Sequence, residues 1–186
     1  MRIISGKFKG KKISYINSST TRPLRDFVKE NIFNIIAHSK NTKLVFDKIS
    51  VLDLYSGVGS FGIECLSRNV DNVVFVERDP LAFSILKKNI FELKLADKTR
   101  LISEDIENFV KTLDKKNKFD LFFFDPPYKD NTYLKVISLI KKKKLFKKNH
   151  KIIIHREKDS KDNLDKILKI DLLKNYGRSK IIFGSF

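Results

Sequence analysis

The mostly apolar run Phe119-Asp-Leu-Phe-Phe-Phe leads directly into Asp125-Pro126-Pro127-Tyr128, a carboxylate, two prolines and an aromatic ring. These residue types in this order suit the handling of an exocyclic amino group on a nucleic-acid base. Such a nitrogen is a poor nucleophile because its lone pair is delocalised into the ring, so a site that uses it must hold it and help localise that pair. The Asp125 carboxylate and the Pro126 carbonyl can each take one N–H, which aligns the nitrogen with a sulfonium methyl for in-line transfer. Pro126 and Pro127 fix their own backbone angles and offer no donor, so they stiffen the loop while leaving a carbonyl free. Tyr128 can stack on a base turned out of its helix. The competing account is that the tetrapeptide only terminates a strand, which its prolines would explain.

A second constellation lies upstream, in Val51-Leu-Asp-Leu-Tyr-Ser-Gly-Val-Gly-Ser-Phe-Gly62, where a glycine-rich turn joins a strand-like run to a helix-like one. That context implies a nucleotide-like ligand held close to the backbone. The turn alone does not choose between a dinucleotide and S-adenosylmethionine. Asp53, near the strand end, suits the ammonium of a methionyl group and opposes a pyrophosphate. Tyr55, Gly57 and Gly59 belong to the same turn. Glu77 ends the next apolar run, where a carboxylate can accept from both hydroxyls of a ribose, and Arg78 follows it. Asp105, past a third run, is placed to accept from an adenine amino group, with Ile106 beside the ring. Glu104 is its rival, and either acid equally suits the start of a helix.

These side chains need a scaffold that delivers them to one edge. From Ser50 onward, short apolar runs alternate with segments of helical period, the sequence form of a parallel sheet with helices on its faces. Val51–Leu54, Val73–Val76, Arg100–Ile102, Leu121–Phe124 and Ile152–Ile154 are the predicted strands. Pro80 to Leu95 reads as a helix, since Leu81, Ile85, Leu86, Ile90 and Leu93 share a face. Leu172–Tyr176, Gly177-Arg178 and Lys180–Phe183 predict a closing hairpin that adds an antiparallel strand. Ahead of this unit, Arg2 to Tyr15 reads as a basic hairpin carrying Lys7, Lys9, Lys11 and Lys12, and Asp26 to His38 follows helical spacing after Pro23. The expected organisation is one domain, with a hairpin appendage over 1–20, an N-terminal helix within 21–49 and an α/β core over 50–186.

The charge balance, 39 Lys and Arg against 22 Asp and Glu for a net +17, favours a polyanionic partner, nucleic acid before membrane. An AT-biased genome would also enrich a chain in Lys, Ile, Asn and Phe. The hairpin lysines with Arg22 and Arg25 are the favoured RNA contacts. Lys141 to Lys148 reads instead as a solvated helix end. The single cysteine, Cys65, makes an internal disulfide or a cysteine zinc site impossible, and His38, His150 and His155 lack metal-ligand spacing. No segment approaches the roughly 20 apolar residues that span a bilayer. The expectation is a monomeric, metal-free cytoplasmic enzyme.

Taken together, these motifs resemble the RsmD methyltransferases nearly end to end. Met1 to Gly6 with Gly10-Lys11 is similar to the family's opening hairpin. Arg22-Pro23 with Asp26, Lys29-Glu30 and Phe33-Asn34 is similar to its next motif, followed by Asp53 to Gly62, Glu77, Asp105, Asp125 to Tyr128 and Tyr176-Gly177. Leu24, Arg25 and Phe27 depart from the family's usual Thr, variable residue and Arg, and Ser5 and Phe8 replace a usual Gly and Trp. The resemblance implies a class I, Rossmann-like methyltransferase fold with seven strands, the last antiparallel. It also implies S-adenosyl-L-methionine as methyl donor, a further cofactor-side role for Arg22, and methylation of a guanine 2-amino group in 16S ribosomal RNA, free or in an assembling small subunit. Adenine 6-amino methylation and a catalytically silent RNA-binding module are the alternatives; a dehydrogenase is opposed by Asp53.

Overall fold

A run buried on both faces gives a central strand, and Val51 to Leu54 and Leu121 to Phe124 are buried residue by residue. The computed structural model describes residues 1–16, 26–40, 42 and 44–186. Its strands are β1 (Ser50–Leu54), β2 (Asn72–Val76), β3 (Thr99–Ile102), β4 (Phe119–Phe124), β5 (Phe146–Glu157), β6 (Lys169–Tyr176) and β7 (Ser179–Ser185). They form one seven-stranded sheet in the order β3-β2-β1-β4-β5-β7-β6. The first five are parallel, and β7 runs antiparallel between β5 and β6, as expected of the class I methyltransferase fold.

The helices are α1 (Asp26–His38), α2 (Ser60–Ser67), α3 (Pro80–Glu92), α4 (Ile106–Thr112) and α5 (Thr132–Lys143). They divide between two apolar layers. One layer joins α1, α2 and α3 through Phe33, Phe61, Phe75 and Leu86; the other joins α4 and α5 through Phe109, Phe122, Tyr133 and Val136. In the first layer three rings stack in series, Phe33 to Phe61 at 5.1 Å and Phe61 to Phe123 at 3.9 Å, so α1 is tied through α2 to β4, the strand that Asp125 follows. No described helix is long and apolar enough to cross a membrane.

Two regions add to or differ from the expectation. The first is the N-terminal hairpin, whose arms are joined by one antiparallel bridge, Arg2 with Lys12, and by the N–H groups of Ile3, Gly10 and Ile13 donating to the carbonyls of Lys11, Ile3 and Met1 at 2.9, 2.9 and 3.1 Å. Further backbone groups are satisfied by α2. The N–H groups of Ile4 and Ser5 donate to the Glu64 carboxylate at 2.7 and 3.0 Å, and Ile3, Phe8 and Ile13 are buried in the core. Gly6, at φ +80°, presses on α2 so closely that a Cβ would lie 1.9 Å from the Ser67 carbonyl oxygen. The second difference is in β5, which begins at Phe146 rather than near Ile152, so Lys147 and Lys148 are strand residues. Several cations of that cluster are already engaged. The Lys143 ammonium donates to the Val110 and Lys111 carbonyls, which the end of α4 leaves without helical donors, and Lys147 pairs with Asp120 at 2.7 Å.

Lys29 is the buried link between hairpin and core. Its ammonium donates to the Arg2 carbonyl at 2.8 Å and lies 3.7 Å from Glu64, with both side chains inaccessible to solvent. Burial lowers the pKa of Lys29, and the Glu64 charge opposes that shift. Removing one partner leaves an uncompensated buried charge, so Glu64→Ala is expected to lower the unfolding free energy by about 3–5 kcal/mol, read from urea denaturation. A loss below about 1 kcal/mol would show that the pair is not what holds the hairpin to α2.

Candidate active site

Parallel strands end level with one another, and the ends of β1, β2 and β4 surround a cleft of about 800 Å3. Asp53, Tyr55, Gly57, Glu77, Arg78, Asp105, Ile106 and Asp125 to Tyr128 all line it. Gly59 stands apart from these and is not among the lining residues. It starts α2 in the left-handed region at φ +87°, and a Cβ there would meet Leu86 Cδ1 at 2.5 Å, so its smallness serves packing beneath the turn. Glu104, the rival of Asp105, is exposed and not among the lining residues. Arg22 and Arg25 lie outside the described residues.

The carboxylates are held individually. Asp53 accepts the N–H of Gly62 at 2.9 Å through Oδ2, while its buried Oδ1 has no partner among the described residues. Burial pushes its pKa well up, and the nearby Asp125 and Glu77 charges add to the shift. The Glu77 oxygens accept from the N–H groups of Gly57 and Asp79, both at 2.8 Å, which orients the carboxylate while leaving lone pairs on each oxygen. Asp105 caps α4 by accepting from Glu107 and Asn108, so its capping role is real, and its other oxygen lies 3.5 Å from Arg78. The Ser56 hydroxyl, also in the cleft wall, is buried without a partner among the described residues. A ligand bearing an ammonium and hydroxyls fits this set: the lone Oδ1 of Asp53 is a buried acceptor without a donor among the described residues, and Ser56 is a further polar atom in the same wall. Asp53, Ser56 and Glu77 would hold the methionyl and ribose parts of S-adenosylmethionine.

Two residues on β5 escaped the sequence reading. The register sets Phe124 opposite Ile154, so the next positions, Asp125 and His155, meet. His155 Nδ1 lies 2.8 Å from Asp125 Oδ1; a carboxylate only accepts, which assigns the proton to Nδ1. Arg156, pointing to the opposite face, is buried and donates to the carbonyls of Pro127 at 3.2 Å and Tyr128 at 3.1 Å, with Asp162 as its counter-ion at 3.2 Å. The Pro126 carbonyl and Asp125 Oδ2 carry no hydrogen bond among the described residues. The loop thus offers two acceptors to the cleft and has its neighbouring carbonyls satisfied from below. Tyr55 ties the two motifs together through its hydroxyl, which donates to Asp130 at 3.0 Å. Burial raises the Tyr55 pKa, and Asp130 adds to that, so the hydroxyl stays a donor.

The basic hairpin is less directly placed. Met1, Tyr15 and Ile16 reach the cleft, but the N–H of Lys7 donates to the carbonyl of Ser67, the last residue of α2. The cleft-lining Ser60 is at the other end of that helix, roughly 10 Å away at 1.5 Å per residue. Among the described residues no cluster could hold a metal ion.

Burial alone would lower the pKa of His155, but the charge and hydrogen bond of Asp125 outweigh it and the net shift is upward. A pKa raised on folding stabilises most below the unfolded value of about 6.5, and that contribution fades as pH rises through the folded value. The melting-temperature advantage of wild type over His155→Asn is therefore expected to be largest in mildly acid buffer and to shrink toward alkaline pH. A difference that grows with pH would contradict the pairing. At the other carboxylate, Glu77→Ala is expected to weaken S-adenosylmethionine binding in calorimetry by roughly 1.5–3 kcal/mol, the value of hydrogen bonds to a charged acceptor. Unchanged affinity would remove Glu77 from the donor site.

The chain has relatives of known sequence and structure. The family model described as "Conserved hypothetical protein 95" matches residues 1–185. "Ribosomal RNA small subunit methyltransferase D" of Haemophilus influenzae is 34% identical over 160 residues, 86% of this chain and 80% of that protein. The protein of the same name from Buchnera aphidicola subsp. Acyrthosiphon pisum is 35% identical over 157 residues, 84% of this chain and 78% of that one. The solved chain yhhF of Escherichia coli shares the fold with a TM-score of 0.83 at 24% identity, over 99% of this chain and 96% of that one. With the motifs in place along almost the whole sequence, the chain belongs to the Conserved hypothetical protein 95 family, that of the RsmD methyltransferases.

Proposed function

We propose that this protein transfers a methyl group from S-adenosylmethionine to the 2-amino group of a guanine in small-subunit ribosomal RNA. The observation that carries the reading is the pair of free acceptors, Asp125 Oδ2 and the Pro126 carbonyl, at the cleft end of β4 while the carbonyls of Pro127 and Tyr128 are engaged by Arg156. An amino group with two N–H donors matches two acceptors, and holding both directs the nitrogen lone pair out of the base plane. S-adenosylmethionine supplies an electrophilic methyl on a sulfonium. Asp53 and Glu77 orient the donor, Tyr128 offers a ring for the base to stack on, and Asp125 holds the amino group that must shed a proton once methylated. The choice of guanine and of the small-subunit RNA comes from the family resemblance and from the names of the relatives, and the net charge of +17 suits a polyanion.

Asp125→Ala is expected to bind S-adenosylmethionine as wild type does and to lose nearly all methyl transfer to small-subunit ribosomal RNA from a strain lacking the gene. Nucleoside mass spectrometry of that strain's RNA should show the loss of one 2-methylguanosine relative to the parent. Loss of a methyladenosine instead would move the substrate to adenine, and full transfer by Asp125→Ala would overturn the assigned site.

A further inference from the structure

The order β4-β5-β7 places the turn between β6 and β7 two strands outward from Asp125, at the same edge of the sheet. Neighbouring strands lie about 4.8 Å apart, so that turn is roughly 10 Å from the catalytic loop. Arg178 sits in the turn, is exposed and lines the cleft. Every other described arginine has an acid or a ring beside it: Arg2 has Asp26, Arg68 has Glu64, Arg78 has Asp105, Arg100 has Phe109 and Arg156 has Asp162. Arg178 alone has no side-chain partner among the described residues.

Beside it stands an aromatic pair. Phe27, at the start of α1, is 66% exposed, and its ring meets that of Tyr176 edge-on at 6.1 Å. A single exposed phenylalanine is ordinary. One fixed against a tyrosine, two residues from an unpartnered arginine at the mouth of a cleft, is the combination that single-stranded nucleic acid engages: a ring for a base and a cation for a phosphate. The exposed Glu157 on the adjoining strand end is an acceptor suited to base N–H groups and would turn a phosphate toward Arg178. The lysine-bearing turn of the hairpin, by contrast, sits at the far end of α2.

We propose that Phe27, Tyr176 and Arg178 form the docking site for a single-stranded RNA nucleotide flanking the target base, with the Phe27 ring stacking on its base and Arg178 holding its phosphate. This rests on the reading of the Asp125 site as one that acts on an RNA base. Full-length wild type, Phe27→Ala, Phe27→Tyr, Arg178→Gln and a triple Gln variant of Lys7, Lys9 and Lys11 would be compared for binding to transcribed small-subunit ribosomal RNA across a salt series. S-adenosylmethionine affinity serves as the control for folding. Phe27→Ala is expected to weaken RNA binding about five- to fifty-fold without changing the salt slope, and Phe27→Tyr to bind as wild type. Arg178→Gln is expected to reduce the slope by about 0.7, the value of one phosphate on a single strand. All variants should keep wild-type donor affinity. If wild type binds and methylates the RNA while Phe27→Ala and Arg178→Gln match it, or if the lysine variant loses more affinity than either, the docking site is overturned alone. A wild type that neither binds nor methylates this RNA overturns the underlying reading and the docking site with it.

Discussion

Three carboxylates, Asp53, Glu77 and Asp125, face one cleft, and the molecule has to hold them there against mutual repulsion and loss of water. Each is compensated differently. Glu77 is embraced by two backbone N–H groups, Asp53 by one, and Asp125 by an imidazole. The uneven treatment is informative. Asp53, the most buried of the three, keeps a solvent-inaccessible oxygen without a partner among the described residues, so a cation beside it would offset the cost of its burial. A donor with an ammonium group meets that demand, whereas a pyrophosphate would worsen the repulsion.

The scaffold explains why the compensation is possible. Parallel pairing of β1 with β4 and of β4 with β5 brings three strand ends to one level, so neighbours in space come from distant sequence positions. The same geometry lets β5 support the loop from Asp125 to Tyr128 from two faces, His155 gripping the carboxylate and Arg156 the carbonyls behind it. Rigidity of the loop thus rests on two buried, hydrogen-bonded side chains, His155 and Arg156, as well as on the prolines. On the opposite layer, Asn89 links the chain entry to the glycine turn by donating to the carbonyls of both Ser14 and Val58 at 3.0 Å. The hairpin is therefore part of the support of the glycine turn.

Much of this was legible in the residues. Strands such as Val51–Leu54 and Leu121–Phe124 announce themselves because they are apolar on both faces, and the two motifs sit directly after them. Asp105 lines the cleft while Glu104 does not, and its capping of α4 beside its contact with Arg78 shows that one carboxylate can serve two neighbours. His155 and Arg156 were missed for a physical reason: their significance comes from register with Asp125, thirty positions away, and a histidine and an arginine after Ile152–Ile154 look like the polar end of any strand. Register was the only available signal. The docking of the hairpin on α2 was not legible either, because the N–H groups of Ile4, Ser5 and Lys7 go to Glu64 and Ser67, about sixty positions along the chain.

The central claim, that an unpaired buried carboxyl at Asp53 is completed by a cationic donor, is tested most directly by proton counting. A carboxyl whose pKa burial has raised gives up its proton when an ammonium binds against it. Calorimetric titration of S-adenosylmethionine in mildly acid buffers of different ionisation enthalpy should show net proton release for wild type and none for Asp53→Asn, which should also bind more weakly. Equal affinity and equal proton balance in the two proteins would contradict the account.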